Sequence, residues 1–223
     1  VRQCIAKLLL IKIIWFNKYV ILYSCKEVSS VMEGFNVSVV VPTFNRVDFV
    51  LKAIKSVSNQ TFQPLEIILV DNNSEDNTLE MVAKHFKSVK IISQKKQGVS
   101  ASRNFGIREA SGNWIAFLDS DDQWHKRKLE EQVKSITNDT LSVDLSHTNE
   151  IWYRNKVFFN QKEIHKKRGG FIFEHCLPLC CISPSSVLLK KKVFDDIGFF
   201  DESLAVCEDY DFWLRYCCKY PVN

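Results

Sequence analysis

Three groups of carboxylates in this chain have a spacing that could do chemistry. They are Asp71 with Asn72-Asn73-Ser74 behind it, the run Asp119-Ser120-Asp121-Asp122, and Glu208-Asp209-Tyr210-Asp211. Carboxylate oxygens are hard ligands suited to Mg2+ or Mn2+, and such a cation lets an acidic loop hold a phosphorylated ligand that it would otherwise repel. A carboxylate carried on a separate element can instead act as a general base. Each group also has a plain structural use. Asp71 suits an Asx turn, Asp119 to Asp122 a solvated turn capping the next helix, and Glu208 to Asp211 a first helical turn where negative charge offsets the macrodipole.

The elements that must position these groups follow from the apolar pattern. Short β-branched runs at Val37–Val41, Leu65–Val70, Val89–Ile92 and Trp114–Leu118 read as buried strands. Helix-period segments at 47–59, 77–87, 100–110 and 127–136 lie between and after them. This alternation predicts an α/β fold with a mostly parallel sheet flanked by helices. Residues 138–180 lose the rhythm and are expected to form an irregular or antiparallel excursion. A strand at 186–189, a short helix at 191–197 closed by Gly198, and a last helix at 208–219 complete the pattern. In open sheets of this kind ligands bind outside the carboxyl ends of the strands. Pro42-Thr43-Phe44-Asn45-Arg46 leaves the first strand, Asp71 the second and Asp119 the fourth, so two acidic groups are expected at one edge.

Composition narrows the function classes. The chain has 223 residues, 46% hydrophobic and 25% charged, which suits one domain of about 150–200 residues with a segment appended. A net charge of +4 is too small to imply a nucleic-acid partner. Neither G-x-G-x-x-G nor a Walker-type lysine loop is present, which excludes the usual glycine-rich phosphate cradle. Eight cysteines without a Cys-x-x-Cys pair or a zinc spacing point to a reduced, cytosolic set of thiols. Residues 5–23 are apolar, but Lys7, Lys12 and Lys18 argue against a spanning helix. Residues 1–31 therefore read either as an interfacial segment on an anionic membrane or as sequence upstream of the natural start. The run His165-Lys166-Lys167-Arg168 reads as a solvated loop or as a contact to lipid phosphates or an anionic acceptor.

Taken in order, Val-Pro-Thr-Phe-Asn-Arg (41–46), Leu-Val-Asp-Asn-Asn-Ser (69–74), Gln-Gly-Val-Ser-Ala-Ser-Arg-Asn-Phe-Gly (97–106), Phe-Leu-Asp-Ser-Asp-Asp (117–122) and Cys-Glu-Asp-Tyr-Asp-Phe-Trp-Leu-Arg (207–215) resemble the family 2 glycosyltransferases of the GT-A fold. The resemblance covers about residues 37–221 and is weakest across 138–180. It implies a Rossmann-like sheet and inverting, metal-dependent transfer of a sugar from a nucleotide diphosphate sugar to an acceptor hydroxyl. The setting implied is surface polysaccharide or glycoconjugate synthesis. By the same resemblance Pro42, Thr43 and Asp71 contact the nucleoside, with Asp71 accepting a hydrogen bond from the base. Asp119 and Asp121 match the Asp-x-Asp motif, in which Asp121 binds Mn2+ or Mg2+ and Asp119 assists at the ribose or the metal. Asp209, alone or with Glu208, matches the general base. Arg103 and Asn104 are read as holding the third helix near the site, with contact to phosphate as the alternative for Arg103.

The acceptor implied is a saccharide, a lipid-linked saccharide or another hydroxyl compound. The location implied is cytoplasmic, or peripheral at the inner face of the cell membrane. Residues 32–223 are expected to form the catalytic domain, and one cut short at its C-terminus, since Asn223 follows the base-bearing helix so soon. Two other functions fit parts of the pattern. A nucleotide-sugar binding module without turnover would need the same loops. A sugar nucleotidyltransferase should show a glycine-rich, arginine-bearing loop after the first strand, which Pro42 to Arg46 does not supply.

Overall fold

A run of four valines broken only by Ser38 becomes a central strand. β1 (Val37–Thr43) has no exposed position, because parallel β2 (Glu66–Asp71) flanks it on one side and parallel β4 (Trp114–Phe117) on the other. This is seen in a computed structural model that describes residues 34–154 and 157–223, so both readings of residues 1–31 concern residues outside the described ones. β3 (Lys90–Ser93) pairs with the outer edge of β2. β8 (Val187–Lys190) runs antiparallel to β4, and β5 (Leu145–His147) antiparallel to β8. The order is β3-β2-β1-β4-β8-β5, a parallel half joined to an antiparallel half.

α1 (Val47–Ser58) buries Val50, Ala53, Ile54 and Val57, the spacing of a single apolar stripe. α2 (Thr78–His85), α3 (Val99–Glu109) and α4 (Lys128–Asn138) follow β2, β3 and β4 as the alternation requires. α3 approaches the sheet through Gly106, where a Cβ would stand 2.3 Å from Val40 Cγ1, so no side chain fits there. The remaining helices are short α5 (Phe173–Cys176), α6 (Val193–Ile197) and α7 (Glu208–Cys217). Aromatic packing fixes α7 against the sheet: Phe200 stacks on Phe212 at 4.5 Å and meets Phe117 of β4 edge-on at 5.5 Å.

The α/β architecture and its mostly parallel sheet match the expectation. Residues 138–180 hold antiparallel material, as expected, but not all of it lies apart. β5 joins the central sheet, and only β6 (Trp152–Arg154) and β7 (Val157–Phe159) form a separate hairpin. Asn223 runs beside β5, donating to Leu145 O at 3.0 Å and accepting from His147 N at 2.8 Å. Among the described residues no helix is long and apolar enough to cross a membrane.

Candidate active site

β1 lies between β2 and β4 in the sheet although it precedes both in the chain, so the loops at the carboxyl ends of β1 and β4 diverge and leave a crevice. A cleft of about 480 Å³ occupies it, with Pro42, Thr43, Arg46, Arg103, Asp119 and Asp121 in its wall. Two asparagines tie the surrounding loops together. Asn45, held at a φ of 49°, accepts from Glu75 N at 2.7 Å, and its own N–H donates to Ser74 Oγ at 2.9 Å. Asn72 donates to the carbonyls of Gln94 and Lys96, both at 2.9 Å, and accepts from Gly98 N at 2.9 Å. The loops after β1, β2 and β3 are thereby cross-linked through side-chain amides.

Asp71 is buried at the end of β2, and Thr43 is its register partner on β1. Asp71 Oδ2 accepts from Ser74 N at 3.1 Å, which is the turn-forming use of this residue. Its Oδ1 and the Thr43 Oγ1 are buried without a hydrogen-bond partner among the described residues. Leaving such an atom unpaired costs about 1–3 kcal/mol, so two of them side by side at a sheet edge suit a place that a polar ligand completes.

The β4 loop turns through Asp122 N–H donating to Asp119 O at 3.0 Å, and Asp119 N–H donates to Ser185 Oγ at 3.0 Å. The two aspartates then part company. Asp121 reaches outward to Arg46, Oδ2 to Nη1 at 2.5 Å, where both side chains are about half exposed at 49% and 46%. Asp119 reaches inward to Arg103 Nη2 at 2.8 Å, and Arg103 Nη1 holds Glu208 Oε1 at 2.6 Å. Burial alone would lower the Arg103 pKa, but the charges of Asp119 and Glu208 outweigh it and hold the guanidinium above its usual value. A buried arginine on α3 thus bridges two of the acidic groups, and with Asn104, which pairs with the Phe200 backbone at 2.9 and 3.0 Å, it holds α3 at the site.

α7 begins after Cys207, a non-glycine residue at a φ of 61°. Asp209 is half-buried, its Oδ1 accepting from Tyr210 N at 2.8 Å and its Oδ2 lying 3.8 Å from Cys180 Sγ. Burial, followed by the negative charge of Glu208, lifts this carboxyl above the ordinary aspartate range. Asp211 faces elsewhere and pairs with Arg215 at 2.8 Å. Asp71, Glu208 and Asp209 do not line the cleft; Thr43, which does, is the register partner of Asp71, and Arg103, which does, connects it to Glu208.

No group of three or more His, Cys, Asp or Glu able to hold a metal occurs among the described residues. Asp119 and Asp121 put two carboxylates on one loop at the cleft, the donor chemistry that would suit Mg2+ or Mn2+, and each is here paired with an arginine, Asp119 with Arg103 and Asp121 with Arg46. The cysteines at 176, 180, 181, 207, 217 and 218 are free thiols. The inter-loop asparagine bonds, the Ser185 contact and the Arg46–Asp121 pair carried no signal in the sequence. Asn45 and Asn72 stood inside the quoted motifs, but their partners are set by tertiary contact.

Residues 38–198 match the sequence profile described as Glycosyl transferase family 2. An uncharacterized glycosyltransferase of Rickettsia conorii is 32% identical over 195 residues, covering 86% of this chain and 32% of the relative. The UDP-Glc:alpha-D-GlcNAc-diphosphoundecaprenol beta-1,3-glucosyltransferase WfaP of Escherichia coli is 31% identical over 194 residues, 82% of this chain and 70% of the relative. Among solved structures, S. aureus TarS 1–349 in complex with UDP-GlcNAc has a TM-score of 0.68 at 23% identity, covering 84% of this chain and 56% of that one, which shows the GT-A fold. The chain thus spans 32% of the length of the Rickettsia conorii relative.

Proposed function

Because the chain belongs to glycosyl transferase family 2, we propose that it transfers a sugar from a nucleotide diphosphate sugar to an acceptor hydroxyl with inversion. The observation that carries this reading is the buried Arg103, which ties the loop of Asp119 to the first turn of the helix that bears Asp209. Leaving group and nucleophile need separate carboxylates, and these two elements supply them.

Thr43 Oγ1 and Asp71 Oδ1, the unpartnered buried oxygens, take the nucleoside, with Asp71 accepting from the base and Pro42 shaping the wall beside them. Asp121, with Asp119, holds Mn2+ or Mg2+, whose contribution when bound is to neutralise charge developing on the departing diphosphate. Arg46 adds a positive charge at the same wall. Asp209 removes the acceptor proton as the acceptor oxygen bonds to the anomeric carbon and the bond from that carbon to the diphosphate breaks. A carboxylate made more basic by burial has more driving force for that step. Glu208, held by Arg103, positions the helix start.

The names of the relatives support a UDP sugar as donor and a diphosphoundecaprenol-linked saccharide as acceptor; with such an acceptor the reaction would belong to polysaccharide or glycoconjugate synthesis at a membrane. The test is a thermal-shift screen of nucleoside diphosphates with and without Mn2+, followed by transfer to lipid-linked saccharide acceptors. Binding without transfer would replace this reading with that of a binding module, and no binding at all would remove both.

A further inference from the structure

Residues 151–171 combine two properties that the sugar-transfer reading does not use. Their six Lys and Arg against a single Glu give a net charge of +5, more than the +4 of the whole chain. The same stretch exposes Ile151, Tyr153, Val157, Phe158, Phe159, Ile164 and Phe171, with Tyr153 at 67% and Val157 at 68%. The β6–β7 hairpin stands outside the central sheet. On one of its faces Trp152 stacks on Phe159 and meets His165 at 4.9 Å, which braces the hairpin against the basic run. On the other face Tyr153 and Phe158, register partners, touch edge-on at 6.2 Å. Lys162, Lys166 and Arg168 are exposed and form no ion pair among the described residues, whereas Lys167 is engaged by Glu150 at 3.1 Å.

Monomeric proteins rarely expose contiguous apolar surface of this kind. A ribbon that is apolar on both faces is poorly covered by a flat partner on one side, but a bilayer interface surrounds it. Aliphatic side chains such as Val157 and Ile164 gain nothing from a nucleic acid. We propose that the β6–β7 hairpin and the basic segment after it dock on an anionic membrane surface. Tyr153, Val157 and Phe158 enter the acyl boundary while Lys162, Lys166 and Arg168 meet the lipid phosphates. The chain continues from this segment to Leu177, whose carbonyl accepts from the Tyr210 hydroxyl at 2.7 Å, and to Cys180 beside Asp209. Docking therefore sets the end of the molecule that carries the proposed base near the lipid. That consequence alone rests on the sugar-transfer reading; the docking itself does not.

The test is sedimentation of the full chain with vesicles of phosphatidylcholine alone and of phosphatidylcholine with phosphatidylglycerol. The wild type is expected to bind the anionic vesicles and to be released by salt. At about 1 kcal/mol, or roughly fivefold, for each basic side chain near the surface, Lys162→Glu/Lys166→Glu/Arg168→Glu should weaken binding on the order of 100-fold. Tyr153→Ser/Phe158→Ser should weaken it about tenfold, with an unchanged thermal melt. In the otherwise unaltered chain, Phe158→Trp should add blue-shifted emission on anionic vesicles, which decides the matter even where a multiple variant folds poorly. Failure of the wild type to bind, or equal binding by both multiple variants, overturns the proposal. So does loss in the charge variant alone with heparin competing and no blue shift, which marks a polyanion site. A dimer in sedimentation equilibrium that Phe158→Ser dissolves would assign the patch to self-association instead.

Discussion

Replacing Arg103 with methionine removes the guanidinium but keeps most of its buried stem, so the loss falls on charge rather than on volume. Deleting one partner of a buried ion pair costs about 3–5 kcal/mol, because the other charge stays buried and unpaired. The guanidinium carbon also lies 5.5 Å from the centroid of the Phe200 ring, a contact worth roughly another 0.5–1 kcal/mol. For a unit of this size about 2–4 °C accompanies each kcal/mol, so the first term alone should lower Tm by about 6–20 °C. The penalty is unevenly shared. The Glu208 side chain is 11% exposed against 31% for Asp119, so water can rescue Asp119 far better than Glu208. Arg103→Met/Glu208→Gln should therefore be more stable than Arg103→Met alone, with a coupling of about 1–3 kcal/mol in a double-mutant cycle run by urea and thermal denaturation. A single-variant cost under about 1 kcal/mol, or a double variant no more stable than Arg103→Met, would refute the bridge as a source of stability.

Asp209→Asn should bind nucleoside diphosphate normally and lose roughly 10²–10⁴-fold in transfer rate, while Asp211→Asn, which breaks the Arg215 pair, should lower Tm and leave transfer largely intact. Because burial raises the Asp209 pKa above the ordinary 3.8, the acid limb of the wild-type rate profile should lie above that value. The same shift has a stability sign: the Asp209 contribution is full below 3.8 and is lost as pH rises through the raised folded value, so Asp209→Asn should gain on the wild type toward neutral pH, and a gain toward acid pH in denaturation series would count against the assignment. Calorimetry should show that Asp121→Ala abolishes the strengthening of nucleoside diphosphate binding by Mn2+, whereas Asp71→Ala weakens binding with and without the metal. Gly106→Ala forces a Cβ to within 2.3 Å of Val40 Cγ1 and should cost about 1–3 kcal/mol in urea denaturation, the range for overpacking.

The parallel half of the fold was legible because its inner strands, β2, β1 and β4, are buried on both faces. Val37–Thr43 and Glu66–Asp71 read as near-continuous apolar runs, and their helices carry clean stripes such as Val50, Ala53, Ile54 and Val57. β5 escaped notice because Leu145–His147 is three residues long, too short to show a period, and its place is set by pairing with β8 some forty residues later. The hairpin lay within a stretch read as irregular or antiparallel, and its two strands could not be drawn for a related reason: each is three residues long and apolar on both faces, so the sequence shows no inside and outside. At the site, the acidic groups announced themselves by type and by their position after strands. What joins them did not. Arg103 lies in a helix among serines and alanines, and nothing local says that its two nearest charges are 16 and 105 residues away. Asn72 likewise shows no sign that its amide spans two carbonyls beyond the next helix and strand.

The sheet order β3-β2-β1-β4-β8-β5 also divides the molecule in time. β1, β2 and β3 pair through single crossovers, Ser38 with Glu66 and Ile68 with Lys90, so the nucleoside loops can form from contacts that are short in sequence, whereas the aspartate loop waits for Trp114 of β4 to reach Val37 of β1. β5 must wait for β8, and the residues at 222–223 that run beside Gly170 and β5 come later still. Non-local pairing is the slow part of folding, because loop closure opposes it before contacts reward it. β1, β2 and β3 should therefore gain amide protection early in refolding, and β4 with the half carrying α7 late. On that timetable the bond between Arg103 and Glu208 is among the last to close, and until then the guanidinium has Asp119 to hold it and a second edge open to water.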